Sequence, residues 1–100
     1  MRERARMNVL IQPLRNPRVL LRQEGERGMA IDPASDVVHI MNATAVAIWT
    51  LCDGQTTPEE MVAAVCDLSK LPREVVEEDV LGILSEFERK NLITWGELER

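Results

Sequence analysis

The sequence predicts an α+β domain of the winged helix-turn-helix type, in which a three-stranded antiparallel sheet is followed by three helices. Short segments rich in β-branched residues alternate with turns over residues 18–41, which is typical of a small meander. Helical periodicity with capping residues then extends over residues 42–91. With 100 residues, of which 45% are hydrophobic and only 3% aromatic, the chain has room for one domain with an aliphatic core.

The three predicted strands are short and are separated by turn residues. They cover residues 18–22, 29–31 and 37–41. Gly25 and Gly28 mark a polar turn between the first two strands, and Pro33 marks the turn before the third. The third strand is rich in β-branched residues, which favours an extended conformation.

The first predicted helix covers residues 43–51. It follows Asn42, whose side chain can accept a hydrogen bond from the free amides of the first turn. Apolar residues at positions 45, 48, 49 and 52 place one face of the helix inward. We expect Gly54 to end this helix in the left-handed conformation.

The second predicted helix begins with a capping box. Thr57 is the expected N-cap, and Glu60 lies three residues after it. Pro58 occupies the first helical position, where its missing amide costs nothing. The expected buried face consists of Met61, Val62, Val65 and Leu68.

The third predicted helix begins near Pro72 and carries acidic residues in its early turns, where the helix dipole favours negative charge. Its apolar residues lie within an arc of roughly 100 degrees, which predicts a core-facing stripe. These residues are Val76, Val80, Ile83, Leu84 and Phe87. Asn91 is suited to end the helix, and residues 92–96 are predicted to form a short extended wing.

Charge is distributed unevenly along the chain. Residues 1–30 contain seven Arg and three Glu, a balance of +4, whereas residues 31–100 contain five Lys or Arg and fourteen Asp or Glu, a balance of −9. We expect residues 1–17 to form an N-terminal tail or a segment that contacts a second copy of the chain. Residues 18–95 are expected to form the domain, and residues 96–100 a C-terminal tail.

Several classes of function lack their sequence signals. Nucleotide-binding, zinc-protease and serine-hydrolase motifs are absent from the sequence. A catalytic metal site would need all of Cys52, Cys66 and His39, and acid–base chemistry by His39 would need an orienting partner. We therefore predict a non-catalytic protein without a cofactor or a metal.

The sequence also predicts a cytoplasmic protein that has no membrane partner. No apolar segment approaches the roughly 20 residues that span a bilayer. The Arg-rich N-terminus is followed by too few apolar residues to form the core of a signal peptide.

A binding module is therefore the class that the sequence favours. A three-stranded meander has exposed edges, and their unpaired backbone groups can accept an extended peptide as a further strand. Leu81 lies beside the apolar stripe of the third helix, either at the edge of the core or in the lining of a groove.

Residues 38–61 have the sequence VHIMNATAVAIWTLCDGQTTPEEM. This is an apolar strand, an Asn, small residues with Thr, an Ile-Trp pair, an Asp-Gly turn and a Thr-led helix with acidic residues. Downstream, VEEDV at 76–80 is followed by Leu84, Phe87 and the pair Leu92-Ile93. In this order and spacing the motifs resemble the PqqD-like family over about residues 17–95.

The resemblance implies a winged helix-turn-helix domain that recognises precursor peptides made on ribosomes and then modified. The leader segment of such a peptide would add as a fourth strand beside the third strand and against the third helix. The domain would present it to a maturation enzyme, often a radical SAM enzyme, as in pyrroloquinoline quinone synthesis.

By the same resemblance, the leader would contact the third strand at Val37, Val38, His39, Ile40 and Met41. On the third helix, either of two opposite flanks could contact the leader. One flank presents Glu77, Val80, Leu81, Leu84 and Glu88, and the opposite flank presents Asp79 and Ile83.

A winged-helix DNA-binding transcriptional regulator is the alternative function, because such folds can place a helix in the major groove. The candidate recognition helices carry more acidic than basic residues, which would repel phosphates. We therefore expect no nucleic-acid partner. Whether the chain forms a homodimer is open at this point.

Overall fold

The computed structural model describes residues 12–95. The elements in chain order are β1 (Pro13–Arg15), β2 (Leu20–Glu24), β3 (Arg27–Asp32), β4 (Val37–Met41), α1 (Ala43–Thr50), α2 (Pro58–Ser69), α3 (Arg73–Arg89) and β5 (Ile93–Trp95). The predicted order of a three-stranded antiparallel sheet followed by three helices is confirmed. None of the described helices is both long and apolar enough to cross a membrane.

The main sheet has the strand order β2-β3-β4, and both pairings are antiparallel. A two-residue turn joins the first pair, since Glu24 lies opposite Arg27. Gly25 has φ 64° at the first central position of this turn, the place where a type II′ turn requires glycine. The residues that close such a turn bond to each other, so the backbone groups of Arg27 point toward β2 and those of Gly28 point toward β4.

The alternating direction of the backbone groups along β3 also sets the direction of the backbone groups along β4. Gly28 is paired with Met41, and Ala30 is paired with His39, so these residues of β4 bond to β3. The N–H and C=O groups of Val38 and Ile40 therefore point away from β3. Among residues 12–95 no strand pairs with that side of β4, which is a free edge.

The two faces of the main sheet differ in what covers them. Gly28, Ala30, Asp32 and Met41 are buried on the inner face, toward the helices. The outer face carries Leu20, Met29, Ile31, Val38 and Ile40, which the register brings together. Ile40 is 69% exposed and Leu20 is 58% exposed. The register also places Arg22 and Arg27 on this face, next to Met29. The outer face is thus partly apolar, and no described element covers it.

A second, two-stranded sheet joins the beginning and the end of the described chain. Strands β1 and β5 are antiparallel, with Pro13 opposite Trp95. The amide of Arg15 also donates to the carbonyl of Cys52 at 2.8 Å, and the amide of Gly54 donates to the carbonyl of Pro13 at 3.0 Å. Strand β1 lies inside the segment 1–17 that the sequence predicts to be a tail, whereas residues 1–11 and 96–100 lie outside the described residues.

Helix α1 begins as predicted and ends earlier than predicted. Asn42 is the N-cap, and its side chain accepts a hydrogen bond from the amide of Ala45 at 2.9 Å. The helix ends at Thr50 with Leu51 as C-cap. Gly54 does have φ 79°, but it lies beyond the cap in the turn that pairs with β1, so its predicted role as the helix C-cap is wrong.

The capping box of α2 is confirmed. The Thr57 side chain accepts from the amide of Glu60 at 3.1 Å, and the Glu60 side chain accepts from the amide of Thr57 at 2.9 Å. Met61 and Val62 are buried as predicted. Leu68 is 81% exposed and its predicted burial is wrong, because it lies in the last turn of α2, past the residues of that face that pack against the core.

Helix α3 supplies much of the core. Four residues of its predicted apolar stripe are buried, and Ile83 is partly buried. Asn91 follows the helix with φ 60°. Its amide donates to the backbone carbonyl of Glu88, and the amide of Leu92 donates to the backbone carbonyl of Phe87. This bonding is a Schellman motif, so the predicted role of Asn91 at the end of the helix is confirmed.

Candidate functional site

A groove of about 340 Å³ lies between the free edge of β4 and one flank of α3. Its lining comes from both elements and from the segments next to them. The lining residues are His39, Ile40, Met41, Asn42, Ala45, Glu78, Asp79, Gly82, Ile83, Glu86, Phe87, Lys90 and Leu92.

The floor of the groove is apolar and belongs to the core. Met41, Phe87 and Leu92 are buried, and Ile83 and Ala45 are partly buried against them. An extended segment placed along β4 would therefore have backbone partners on one side and an apolar floor below it.

The rim of the groove is acidic. Its lining contains the carboxylates of Glu78, Asp79 and Glu86 and one Lys, Lys90. Glu86 pairs with Arg89 and with Lys90, whose Nζ lies 3.4 Å from Glu86 Oε1. No basic group within residues 12–95 forms an ion pair with Glu78 or Asp79. These two carboxylates favour a ligand with positive charge.

Gly82 lies in the middle of the helical wall of the groove. A Cβ atom built on Gly82 would meet no atom within 4 Å. The wall therefore has a gap at this residue that a larger side chain would fill.

The structure brings together one of the two helix flanks and β4. Asp79 and Ile83 line the groove. Glu77 and Leu81 face the other way and, with Val62 of α2, line a smaller depression between the two helices. The flank with Asp79 and Ile83 is therefore the one that faces β4 across the groove, and contact of a leader with this flank stays a prediction.

Other residues predicted at the site have different positions. Val80 and Leu84 have no exposed surface, so they support the groove from the core and have no surface for a ligand to contact. Glu88 is exposed and does not line the groove. On β4, His39, Ile40 and Met41 line the groove, whereas Val37 and Val38 lie farther along the same strand.

Sequence reasoning missed several residues of the lining. Those on α3 are Glu78, Gly82, Glu86 and Phe87, and the others are Lys90, which is the C-cap of α3, and Asn42, Ala45 and Leu92. Two rows with a spacing of four residues contain them: Glu78, Gly82, Glu86 and Lys90 in one, and Asp79, Ile83 and Phe87 in the other. The helical period could therefore have identified them once the flank was known.

Two titratable groups outside the groove lining have shifted pKa values, and each shift has a structural cause. Burial raises the pKa of the Cys52 thiol to about 12, and its Sγ donates to the carbonyl of Ile48 at 3.3 Å. The amide of Gln55 and the hydroxyl of Thr56 donate to Asp53, which lowers the pKa of that carboxyl. Within residues 12–95, no cluster of three or more His, Cys, Asp or Glu is arranged to hold a metal ion.

Comparison with known proteins places the sequence in a family. The model of the PqqD family, described as coenzyme PQQ synthesis protein D, matches residues 19–93. A PqqA binding protein from Gluconobacter oxydans (strain 621H) is 30% identical over 73 residues, which are 73% of this chain and 76% of that protein.

Two solved structures share the fold. TbiB1 in complex with the TbiA(β) leader peptide has a TM-score of 0.74 and 22% identity, and the match covers 86% of this chain and 99% of that chain. A lasso peptide synthetase B1 complexed with the leader peptide has a TM-score of 0.74 and 14% identity, and covers 83% of this chain and 98% of that chain. The two structures show the fold, while the family match over residues 19–93 and the 30% identical relative confirm the resemblance seen in the sequence: the chain belongs to the PqqD family.

Proposed function

We propose that this protein binds the leader segment of a ribosomally made precursor peptide and presents it to a maturation enzyme. The observation that carries this proposal is the free edge of β4 beside the groove. Val38 and Ile40 direct their backbone groups to that edge, and the groove lies between the edge and α3. Backbone bonds can give affinity there, while the groove selects side chains.

An added strand would present its side chains alternately to the two faces of the sheet. Every second side chain would enter the groove toward the apolar floor around Phe87 and Met41. The others would extend the outer face beside Val38 and Ile40. Strand addition therefore uses both the free edge and the groove.

The related proteins support a peptide as the ligand. The relative from Gluconobacter oxydans is named for binding PqqA, and the two structures of similar fold were solved with leader peptides. A leader of basic and apolar composition would complement the acidic rim and apolar floor of this groove.

We further propose that the partner is a separate maturation enzyme, of the radical SAM type that the resemblance to the PqqD-like family implies. Within the described chain, the histidine of the groove, His39, makes no side-chain hydrogen bond to a carboxylate that could orient it. Cys52 is buried with a raised pKa, which disfavours the reactive thiolate. The groove thus supports binding, and the chemical step belongs to another protein.

Proline substitutions in β4 test strand addition. The ligand is the PqqA peptide, which the relative from Gluconobacter oxydans is named for binding, and it stands in for the cognate leader below. Val38→Pro and Ile40→Pro each remove an N–H at the free edge, a position at which a strand tolerates proline. We expect each to weaken leader binding about tenfold or more by calorimetry, with the fold preserved by circular dichroism.

His39→Pro is the matched comparison. It removes an N–H that bonds to β3, so it should lower the stability of the sheet. Unchanged leader binding by folded Val38→Pro and Ile40→Pro would contradict strand addition at this edge. A titration with duplex DNA on the same samples tests the alternative regulator function, for which we expect no binding because α3 is acidic.

A further inference from the structure

Gly82 is an unusual residue for the interior of α3. Glycine in a helix interior costs about 1 kcal/mol relative to alanine. Gly82 is not required by close packing, because a Cβ at this position would meet no atom within 4 Å, and its φ is not positive. The open space beside Gly82 belongs to the groove.

The surroundings of this space define what it can hold. We call it the Gly82 notch, and it is bounded by Gly82, Ile83, Asp79 and Glu86. The side chain of Ile83 and the floor behind it are apolar. Asp79 lies three residues before Gly82 and Glu86 four residues after it, about one helical turn to either side. The notch is therefore apolar at its centre, with carboxylates at both ends.

The spacing of an added strand matches this arrangement. Side chains on the same face of a strand are roughly 6.7 Å apart, and one turn of helix rises about 5.4 Å. A side chain placed against Gly82 would have its neighbour, two residues along the peptide, about one turn away on α3. On one side that turn carries Glu78 and Asp79, which have no ion pair within residues 12–95.

We propose that Gly82 sets the size of the peptide side chain that the groove accepts. The bound peptide places a large apolar side chain in the Gly82 notch and a Lys or Arg two residues away against Glu78 and Asp79. This inference rests on the proposed function, because it specifies the peptide that the groove selects.

A displayed library of random 12-residue peptides, selected against the full chain, tests the inference and does not require the natural ligand. Selection on the unmodified protein should enrich Phe, Tyr, Trp, Leu or Met at one position, with Lys or Arg two positions away. Selection on Gly82→Leu should replace the large residue by Gly or Ala, because the new side chain fills the notch. Ser85→Leu is the matched control: it adds the same side chain to an exposed position of α3 that does not line the groove.

The affinities of one selected peptide for the unmodified protein and for the variants give a quantitative test of the same inference. Gly82→Leu should weaken its binding at least tenfold, and Ser85→Leu should leave binding within about twofold. Replacing the large peptide residue by Ala should restore binding to Gly82→Leu while weakening binding to the unmodified protein. The double change Glu78→Gln and Asp79→Asn should remove the preference for Lys or Arg and reduce the salt dependence of binding.

The outcomes separate the inference from the proposed function. If the unmodified protein selects peptides with no size preference, or if Gly82→Leu selects the same peptides as the unmodified protein, the inference is wrong and peptide binding stands. If the unmodified protein binds no peptide of the library and no cognate leader, the proposed function fails and the inference fails with it.

Discussion

Gly28 of β3 and Val46 of α1 are in such close contact that a Cβ atom on Gly28 would lie 2.7 Å from Cγ2 of Val46. Both residues are buried, and Gly28 is paired with Met41 of β4. The first helix therefore rests directly on the backbone of the sheet at this point. Met41, the partner of Gly28 on β4, forms part of the groove floor, so this contact lies one strand away from the groove.

Gly28→Ala should lower the stability of the domain by about 1–3 kcal/mol, the usual cost of overpacking a well-filled core. The new methyl group must displace Val46 or separate α1 from the sheet. Gly82→Ala is the opposite case, because its methyl group meets open space, and it should raise stability by up to about 1 kcal/mol. Urea unfolding of the two variants measures both effects, and equal signs would contradict the packing described here.

Trp49→Phe tests the connection between α1 and the segment before β5. Trp49 Nε1 donates to the carbonyl of Leu92 at 3.1 Å, and the same carbonyl accepts from the amide of Asn16 at 3.0 Å. The carbonyl keeps one partner in the variant, so the expected loss is moderate, about 1–2 kcal/mol from the hydrogen bond and the lost ring volume. Trp95→Phe, at a partly buried position, should cost less in the same urea titration.

Cys52 should be unreactive in the folded protein. The thiol has no exposed surface, and burial raises its pKa from 9.0 to about 12. The pKa of Cys52 is higher in the folded state than in the unfolded state. Its contribution to the free energy of unfolding is therefore complete below pH 9 and is lost as the pH rises from 9 toward 12. At about pH 8, below the usual thiol pKa, a thiol reagent should leave Cys52 unmodified, as located by mass spectrometry, until denaturant is added.

Cys52→Ala gives the pH control for that experiment. The variant should lose stability less steeply than the unmodified protein between about pH 9 and pH 11, whatever the cavity costs at neutral pH. Rapid labelling of Cys52 near neutral pH, under conditions where the domain is folded, would overturn the burial described for it.

The local signals of the sequence predicted the helix ends well, because capping depends on residues next to one another. The Asn42 cap, the Thr57 capping box and the Asn91 terminus needed no information from the rest of the fold. Strand β1 is different, since its partner β5 lies about 80 residues later and Pro13 gives no local β signal. Strand β1 forms through its pairing with the distant β5, and no short segment of the sequence contains the information for that pairing.

The candidate site likewise combines features that the sequence predicted with one that depends on tertiary packing. The sequence predicted the strand and the helix that form the groove, because the resemblance specified both. It left the flank of α3 open, since Ile83 and Leu81 are both apolar residues at the edge of the core stripe. Their roles differ only through packing: α2 lies beside Leu81, and β4 lies across from Ile83. That packing is tertiary information which helical period alone lacks.

The two flank residues give a matched pair for mutation. Ile83 and Leu81 are both partly buried, and both lie in the middle of α3. Ile83→Glu introduces a charge into the apolar part of the groove, so it should weaken binding of the cognate leader tenfold or more, about 1.4 kcal/mol. Leu81→Glu introduces the same charge on the side of α2 and should leave leader binding within about twofold.

Stability and binding must be measured on the same samples, since either charge can also loosen the packing of α3. Urea unfolding establishes that each variant is folded. Ile83→Ala is a neutral variant that shortens one apolar side chain of the groove without adding a charge. Calorimetry with the cognate leader should then rank the proteins with Leu81→Glu close to the unmodified chain, Ile83→Ala weaker and Ile83→Glu weakest. The reverse ranking, with folded Leu81→Glu as the impaired variant, would move the peptide to the depression between α2 and α3.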